Sequence, residues 1–278
     1  MQTEKIHIEK NSVQETLIVP LYGRKMCAEK FPELYTDHSA KMFCERLDYD
    51  FSAQEARKDS FLYEFGALEA AMRQLDIMWE VNDYLTDHPD AVVVNLGCGL
   101  DQTGRACDND TCKIINIDFP DIISVRERLM PAGEREKNIA VDLKDYKWMK
   151  EVDGTNGVVF FAAGVFHYFK AADVKHLVLT LSERYAGGRL VFDTVGKLGL
   201  KLMMSKILKN MGIKDIDGFF YVNDPAKELN WAENMKVSSR GYMLGYYDMK
   251  TKGVRPAHRL LAKIGDSWLK MAVHRIAF

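Results

Sequence analysis

The chain has 278 residues, 47% of them hydrophobic and 28% charged, which suits a globular protein with a sizeable core at the upper end of one domain. A net charge of −2 excludes a strong overall field for nucleic acid or an anionic membrane. No apolar run approaches the ~20 residues of a membrane span, and the start MQTEKIHIEK lacks the apolar stretch of a secretion signal.

The five cysteines fit reduced thiols in a cytoplasmic protein, and with no C-x-x-C spacing we expect no metal site. Residues 12–88 carry helical periodicity and little strand signal. Over 60–86 the apolar residues Phe61, Phe65, Leu68, Met72, Leu75, Met78 and Trp79 recur at threes and fours. His88-Pro89 ends that helix, because a residue before proline avoids the helical region. We read 1–88 as a helical N-terminal cap and 89–278 as an α/β core, the two forming one cooperative unit.

From residue 89 short β-rich runs alternate with helical or loop segments. The runs are 91–97, 113–118, 138–143, 157–164 and 187–195. Several are nearly unbroken Val- and Ile-rich stretches, the pattern of parallel strands covered on both faces. Residues 171–185 form a crossover helix with Val174, Leu177, Val178 and Leu181 on one stripe, stopped by Gly187-Gly188. The alternation argues a doubly wound sheet. Residues 198–211 give a further amphipathic helix whose lysines read as a solvated face. Two late runs, 236–244 and 269–278, end the chain, the second as a terminal and antiparallel strand.

The first strand of the core runs into Gly97-Cys98-Gly99. The chain must turn sharply there, and a ligand must approach the backbone; a β-carbon would block both. Asp118 follows Gly99 by 19 residues and ends the next strand, where a carboxylate can accept two hydrogen bonds from a ribose. Together these point to an adenosine ligand. A dinucleotide site wants a third glycine at position 102, which is Gln102 here. Asp101 adds a negative charge that suits an aminium or sulfonium better than a pyrophosphate. S-adenosylmethionine is therefore favoured over NAD. Asp142 can serve an adenine amino group, with Leu143 over the ring, or can cap a helix.

These pieces, VVNLGCGLD, INIDFPDII, AVDL, FFAAGVFHYF and GGRLVFD, come in one order. With TLIVPLYGRKM, LDYDFS and AMRQLD before them, the chain resembles the leucine carboxyl methyltransferase family, in particular its bacterial, tetracenomycin-type polyketide O-methyltransferase branch. The resemblance implies a class I methyltransferase fold: a Rossmann-like, seven-stranded, mostly parallel sheet. It implies that Gly97, Cys98, Gly99, Asp101, Asp118, Phe119, Asp142 and Leu143 line the cofactor pocket, and that Arg73 reaches the methionine carboxylate, which its planar fork matches. The family often carries glutamate in E-G-x-x-x-Y after the fourth strand. Here Ala163 takes the acid's place before Gly164, and Tyr168 is kept.

The implied reaction moves a methyl group from S-adenosylmethionine to a small-molecule acceptor, a carboxylate or a polyketide-like metabolite, leaving S-adenosylhomocysteine. Positioning supplies most of such an in-line displacement. A carboxylate acceptor needs no base at neutral pH, whereas a hydroxyl does. His167 and Tyr168 are the candidates for base or orienter. Tyr22, Arg24 and Arg240 are weaker candidates for gripping an acidic acceptor. Two other readings stand beside this one: a non-catalytic binder of the same cofactor, which Ala163 keeps open, and an NAD-dependent oxidoreductase.

Overall fold

The computed structural model describes residues 5–8, 13–203 and 219–278. The N-terminal part opens with strand β1 (Ile6–His7), which pairs in parallel with β2 (Leu47–Asp48). Its helices are α1 (Ile18–Lys30), α2 (His38–Arg46), the short α3 (Ser52–Glu55) and the long α4 (Phe61–Asp87). Asp37 caps α2 by accepting from the backbone N–H groups of Ser39 and Ala40. The 27-residue α4 stops one residue before His88-Pro89, as the sequence dictates.

Seven strands follow: β3 (Val92–Leu96), β4 (Lys113–Asp118), β5 (Glu136–Ala140), β6 (Val158–Ala162), β7 (Arg189–Thr194), β8 (Lys236–Gly241) and β9 (Ala272–Ala277). Their order in the sheet is β5-β4-β3-β6-β7-β9-β8. The first five are mutually parallel; β9 runs antiparallel between β7 and β8. This is the seven-stranded, mostly parallel sheet that the family resemblance implied. Crossovers carry α5 (Thr103–Ala106), α6 (Pro120–Leu129) and α7 (Ala171–Arg184). The third core strand lies earlier than its run suggested, at Glu136–Ala140, so Asp142-Leu143 falls in the turn beyond it. Of the amphipathic stretch 198–211, residues 198–203 are helical and the rest lies outside the described residues.

Side chains alternate across the strands. Val93, Phe161 and Val191 face one layer, formed by α1 and α4. Val92, Val94, Phe160, Leu190 and Phe192 face the other, formed by α7 and Trp148. Each such buried side chain contributes about 1.5–3 kcal/mol. The helical cap and one sheet face therefore share a single apolar core.

Helix α4 is buried more widely than its apolar stripe implied. Trp79, placed in that stripe, is 37% exposed, while Gln74, Asp76 and Glu80 are buried. The reason is that α4 lies between α1 on one side and the sheet on the other, so polar residues outside the stripe also face protein. Glu80 finds partners there: the Tyr246 hydroxyl donates to it at 2.7 Å, and Arg275 Nη1 lies 3.4 Å away.

The chain runs from β3 outward to β4 and β5, then crosses back to β6 on the other side. The crevice of a doubly wound sheet opens at that reversal, beyond the carboxyl ends of β3 and β6. No helix among the described residues is long and apolar enough to cross a membrane.

Candidate functional site at the sheet reversal

The loop after β3 forms the first wall. Gly97 has φ of +69°, and a Cβ there would stand 2.7 Å from Val165 Cγ2. The Gly97 and Cys98 N–H groups donate to the Ile117 carbonyl at 2.8 and 3.0 Å, which binds the turn to β4. A Cβ on Gly99 would meet Leu17 Cδ2 at 2.9 Å, so the 3-10 turn Val13–Leu17 lies directly on this loop.

Asp118, at the tip of β4, is fixed by two backbone donors. Its Oδ2 accepts from Gly99 N and its Oδ1 from Phe119 N, each at 2.8 Å. Burial pushes its carboxyl up, and those two N–H groups oppose the rise. Each oxygen keeps lone-pair capacity for a further donor. Phe119 beside it is 41% exposed, a flat apolar surface at the rim.

The glycine loop is also held from below. Arg126, buried on α6, donates from Nη1 to the Gly99 and Asp101 carbonyls at 3.0 and 2.7 Å. Asp101 Oδ1 accepts from Thr103 N at 2.8 Å, and Gln74 Nε2 lies 3.5 Å from Oδ2. Cys98 is buried, and burial holds its thiol well above the ordinary range.

The loop after β6 forms the second wall. Gly164 has φ of +70°, and Arg73 from α4 lies against it so closely that a Cβ would stand 2.5 Å from Nη1. Ala163 carries no acid, but a carboxylate reaches this wall from the next strand. Asp193 of β7 accepts from Gly164 N at 2.6 Å and lies 3.7 Å from Arg73 Nη1 and 3.2 Å from His167 Nε2. Burial would raise its carboxyl, but the Arg73 guanidinium, His167 and the Gly164 N–H together hold it at about 2. Tyr168 follows on the same 3-10 turn, Phe166–Tyr168, and is 42% exposed.

The structure thus gathers Gly97, Cys98, Gly99, Asp101, Asp118 and Phe119 on one wall, and Arg73, Ala163, His167 and Tyr168 on the other. Leu143 is buried just beyond β5, and its carbonyl accepts from Trp148 Nε1 at 3.1 Å. Asp142 closes a turn by accepting from Lys144 N at 2.9 Å; the cap of the following 3-10 helix is Asp145.

Of the three weaker candidates, Tyr22 and Arg240 lie elsewhere. Tyr22 is buried in the cap and stacked on Phe51 at 5.6 Å between ring centroids. Arg240 sits on edge strand β8 with its guanidinium 4.5 Å from the Trp79 ring centroid. Arg24 is buried, donating to Asp37 at 3.1 Å and to the Leu100 carbonyl at 2.9 Å. It grips the glycine loop from behind.

Arg126 and Asp193 were not singled out from the sequence. For Asp193 a signal existed, an acid closing the strand GGRLVFD, as Asp118 closes its own. For Arg126 there was none, since its partners are carbonyls 25 and 27 residues away. Among the described residues no group of three or more His, Cys, Asp or Glu side chains could hold a metal ion. A surface cleft of about 460 Å³, lined by His7, Ile8, Asp48, Tyr49 and Asp50, contains none of the site residues.

The two walls suit a ligand with an adenosine at one end and an amino acid at the other. Asp118 offers a fixed carboxylate for a diol. Arg73 offers a fork for a carboxylate.

Comparison with known proteins shows the family and the fold. The family model for leucine carboxyl methyltransferase matches residues 23–182. The tetracenomycin polyketide synthesis O-methyltransferase TcmP of Streptomyces glaucescens is 32% identical over 190 residues, which is 68% of this chain and 68% of that one. Two solved structures share the fold. A DUF574 family protein from Streptomyces avermitilis has a TM-score of 0.56 at 11% identity, over 92% of this chain and 96% of that one. The plantazolicin methyltransferase BpumL, in complex with S-adenosylhomocysteine, has a TM-score of 0.50 at 13% identity, over 95% and 97%.

Proposed function

This chain belongs to the leucine carboxyl methyltransferase family and is an S-adenosylmethionine-dependent O-methyltransferase, and we propose that its acceptor is a small organic molecule of the polyketide-like kind. The relative TcmP, whose name places it in tetracenomycin polyketide synthesis, supports that acceptor class. The oxidoreductase reading has no support from the family or the relative.

The observation that carries the cofactor assignment is the pairing of Asp118 and Arg73 across the crevice at the sheet reversal. Asp118 accepts the ribose hydroxyls, with Phe119 against the adenine. Arg73 takes the methionine carboxylate. The turn at Gly97–Gly99 lets backbone come within contact of the ligand between them. Leu143 and the Asp142 turn close the adenine end. The bound cofactor supplies a methyl group activated on a sulfonium. The residues of the two walls hold the reactants aligned and keep water out, which is the main demand of an in-line transfer.

The test is thermal unfolding with S-adenosylhomocysteine, and with NADH as a control. Ligand at 100 times its dissociation constant stabilises by about 2.7 kcal/mol. For a domain of this size that raises Tm by about 5–10 °C. The expected result is a rise with S-adenosylhomocysteine alone, lost in Asp118→Ala. A rise with NADH only would overturn the assignment.

A further inference from the structure

The helix Pro256–Ser267 is apolar on two opposite faces. Its inner face packs on the core: Ala262 is fully buried, and a Cβ on Gly265 would stand 2.7 Å from Met271 Sδ. Its outer face carries Leu260, 62% exposed, then Ile264, also exposed, and at the C-cap Trp268, 78% exposed. These three stand at i, i+4 and i+8, so they form one stripe about 12 Å long. Another exposed leucine, Leu198, lies on helical residues 197–203 beside the end of this helix. There Gly196 N donates to the Leu269 carbonyl at 2.7 Å, and a Cβ on Gly199 would stand 2.9 Å from the same oxygen.

The charges around these side chains have one sign. Lys197, Lys201, Lys263 and Lys270 are all exposed. The only acid on either helix, Asp266, is turned inward, where it accepts from Met243 N and Leu244 N at 2.9 and 2.8 Å. An exposed apolar stripe with a charged rim marks a contact surface. A second copy of the chain fits it poorly. A stable dimer needs roughly 20–30 residues a side, and a two-fold contact would set this cationic rim against itself. An anionic bilayer matches both halves of the pattern: tryptophan, leucine and isoleucine enter the headgroup–acyl boundary, and lysines meet lipid phosphates.

We propose that the outer face of Pro256–Ser267, with Trp268 and Leu198, is a docking surface for an anionic phospholipid bilayer. Because no helix among the described residues is long and apolar enough to cross a membrane, the contact is peripheral. The net charge of −2 does not oppose it: at physiological salt charges more than about 8 Å apart are largely screened, so the local lysines decide. The surface lies at the same end of the sheet as the crevice. Strand β9 begins at Ala272, which pairs with Thr194 at the carboxyl end of β7, next to Asp193. A docked chain therefore works beside the lipid phase, where an apolar acceptor of the kind proposed above dissolves. The docking itself does not depend on that acceptor.

The test is cosedimentation of the full chain with phosphatidylcholine vesicles, with and without phosphatidylglycerol. Binding should be at least about tenfold tighter to the anionic vesicles and should weaken with added salt. Trp268→Ser and, separately, the double change Lys201→Glu with Lys263→Glu should each lower it by about tenfold or more. Both variants should melt near the wild-type temperature, because the altered side chains are exposed.

Wild-type binding that is absent, equal for the two kinds of vesicle, or unchanged in either variant overturns the proposal. A dimer seen by sedimentation velocity in place of vesicle binding, and lost in Trp268→Ser, also overturns it and makes the face a self-interface. Vesicle binding by a wild type that shows no Tm rise with S-adenosylhomocysteine would strike the cofactor reading and leave this one standing.

Discussion

The Asp118 carboxylate accepts a hydrogen bond from the Gly99 backbone at 2.8 Å, tying the tip of β4 to the turn that follows β3. Each holds the other in place. Asp118→Asn keeps the size but changes an acceptor pair into one acceptor and one donor. S-adenosylhomocysteine affinity, measured by calorimetry, should fall by about 10–100-fold in Asp118→Asn and further in Asp118→Ala. Equal affinity in wild type and Asp118→Ala would contradict the role.

Arg73 and Asp193 form the corresponding pair on the other wall. Arg73→Ala leaves Asp193 buried without its guanidinium, which should destabilise the fold by up to about 3 kcal/mol in urea unfolding. The sign with pH follows from the lowered carboxyl of Asp193. Its contribution is present above the unfolded carboxylate range and is lost as pH falls towards about 2. In Arg73→Ala the acid loss should begin at higher pH than in wild type. Arg73→Lys should restore most of the stability but little of the cofactor affinity, because the planar fork is gone.

Gly164→Ala makes a sharper demand. The residue has φ of +70°, and the new Cβ would stand 2.5 Å from Arg73 Nη1. Backbone strain should cost about 1–3 kcal/mol. The displaced guanidinium should lower cofactor affinity as well. A variant with unaltered affinity would show that Arg73 does not work from its observed position.

Asp76 offers a test remote from any ligand. It is fully buried on α4, neither carboxylate oxygen has a hydrogen-bond partner among the described residues, and burial, aided by Asp266 and Glu80, raises its carboxyl to about 9. A raised pKa means the protonated form is favoured by folding. That stability is full below the unfolded carboxylate range and is lost as pH rises towards about 9. Asp76→Asn should therefore be more stable than wild type in urea unfolding, by an amount that grows from pH 5 to pH 9 and reaches on the order of a few kcal/mol. A constant difference across that range would refute the assignment.

Arg24 tests the division between cap and core. The sequence suggested Arg24 as a grip on an acidic acceptor, a role in which Arg24→Ala would weaken acceptor use and leave cofactor binding intact. With the guanidinium on Leu100 O and Asp37, the loss should fall on cofactor affinity and on Tm. Titration with S-adenosylhomocysteine separates the two.

Much of the core was legible because its strands are buried on both faces and so read as Val- and Ile-rich runs. Val92–Leu96 and Val158–Ala162 are such runs. The strand Glu136–Ala140 is only partly buried and is an edge strand of the sheet, which is why its bounds slipped. Gly97, Gly99 and Asp118 were readable because each belongs to a local strand–turn unit. Arg73 came only through family resemblance, since nothing in a helix sequence announces which arginine will face a loop 91 residues away at Gly164. Asp76 and Glu80 were missed for a related reason. A periodic apolar stripe identifies one face of a helix, and α4 has a second face occupied by the sheet.

That double engagement of α4 has an evolutionary consequence. The helix that roofs Val93, Phe161 and Val191 also delivers Arg73 to the crevice. A lineage drifting towards a new substrate cannot discard or swap this N-terminal portion as a detachable module, because doing so would bare an aggregation-prone β-surface.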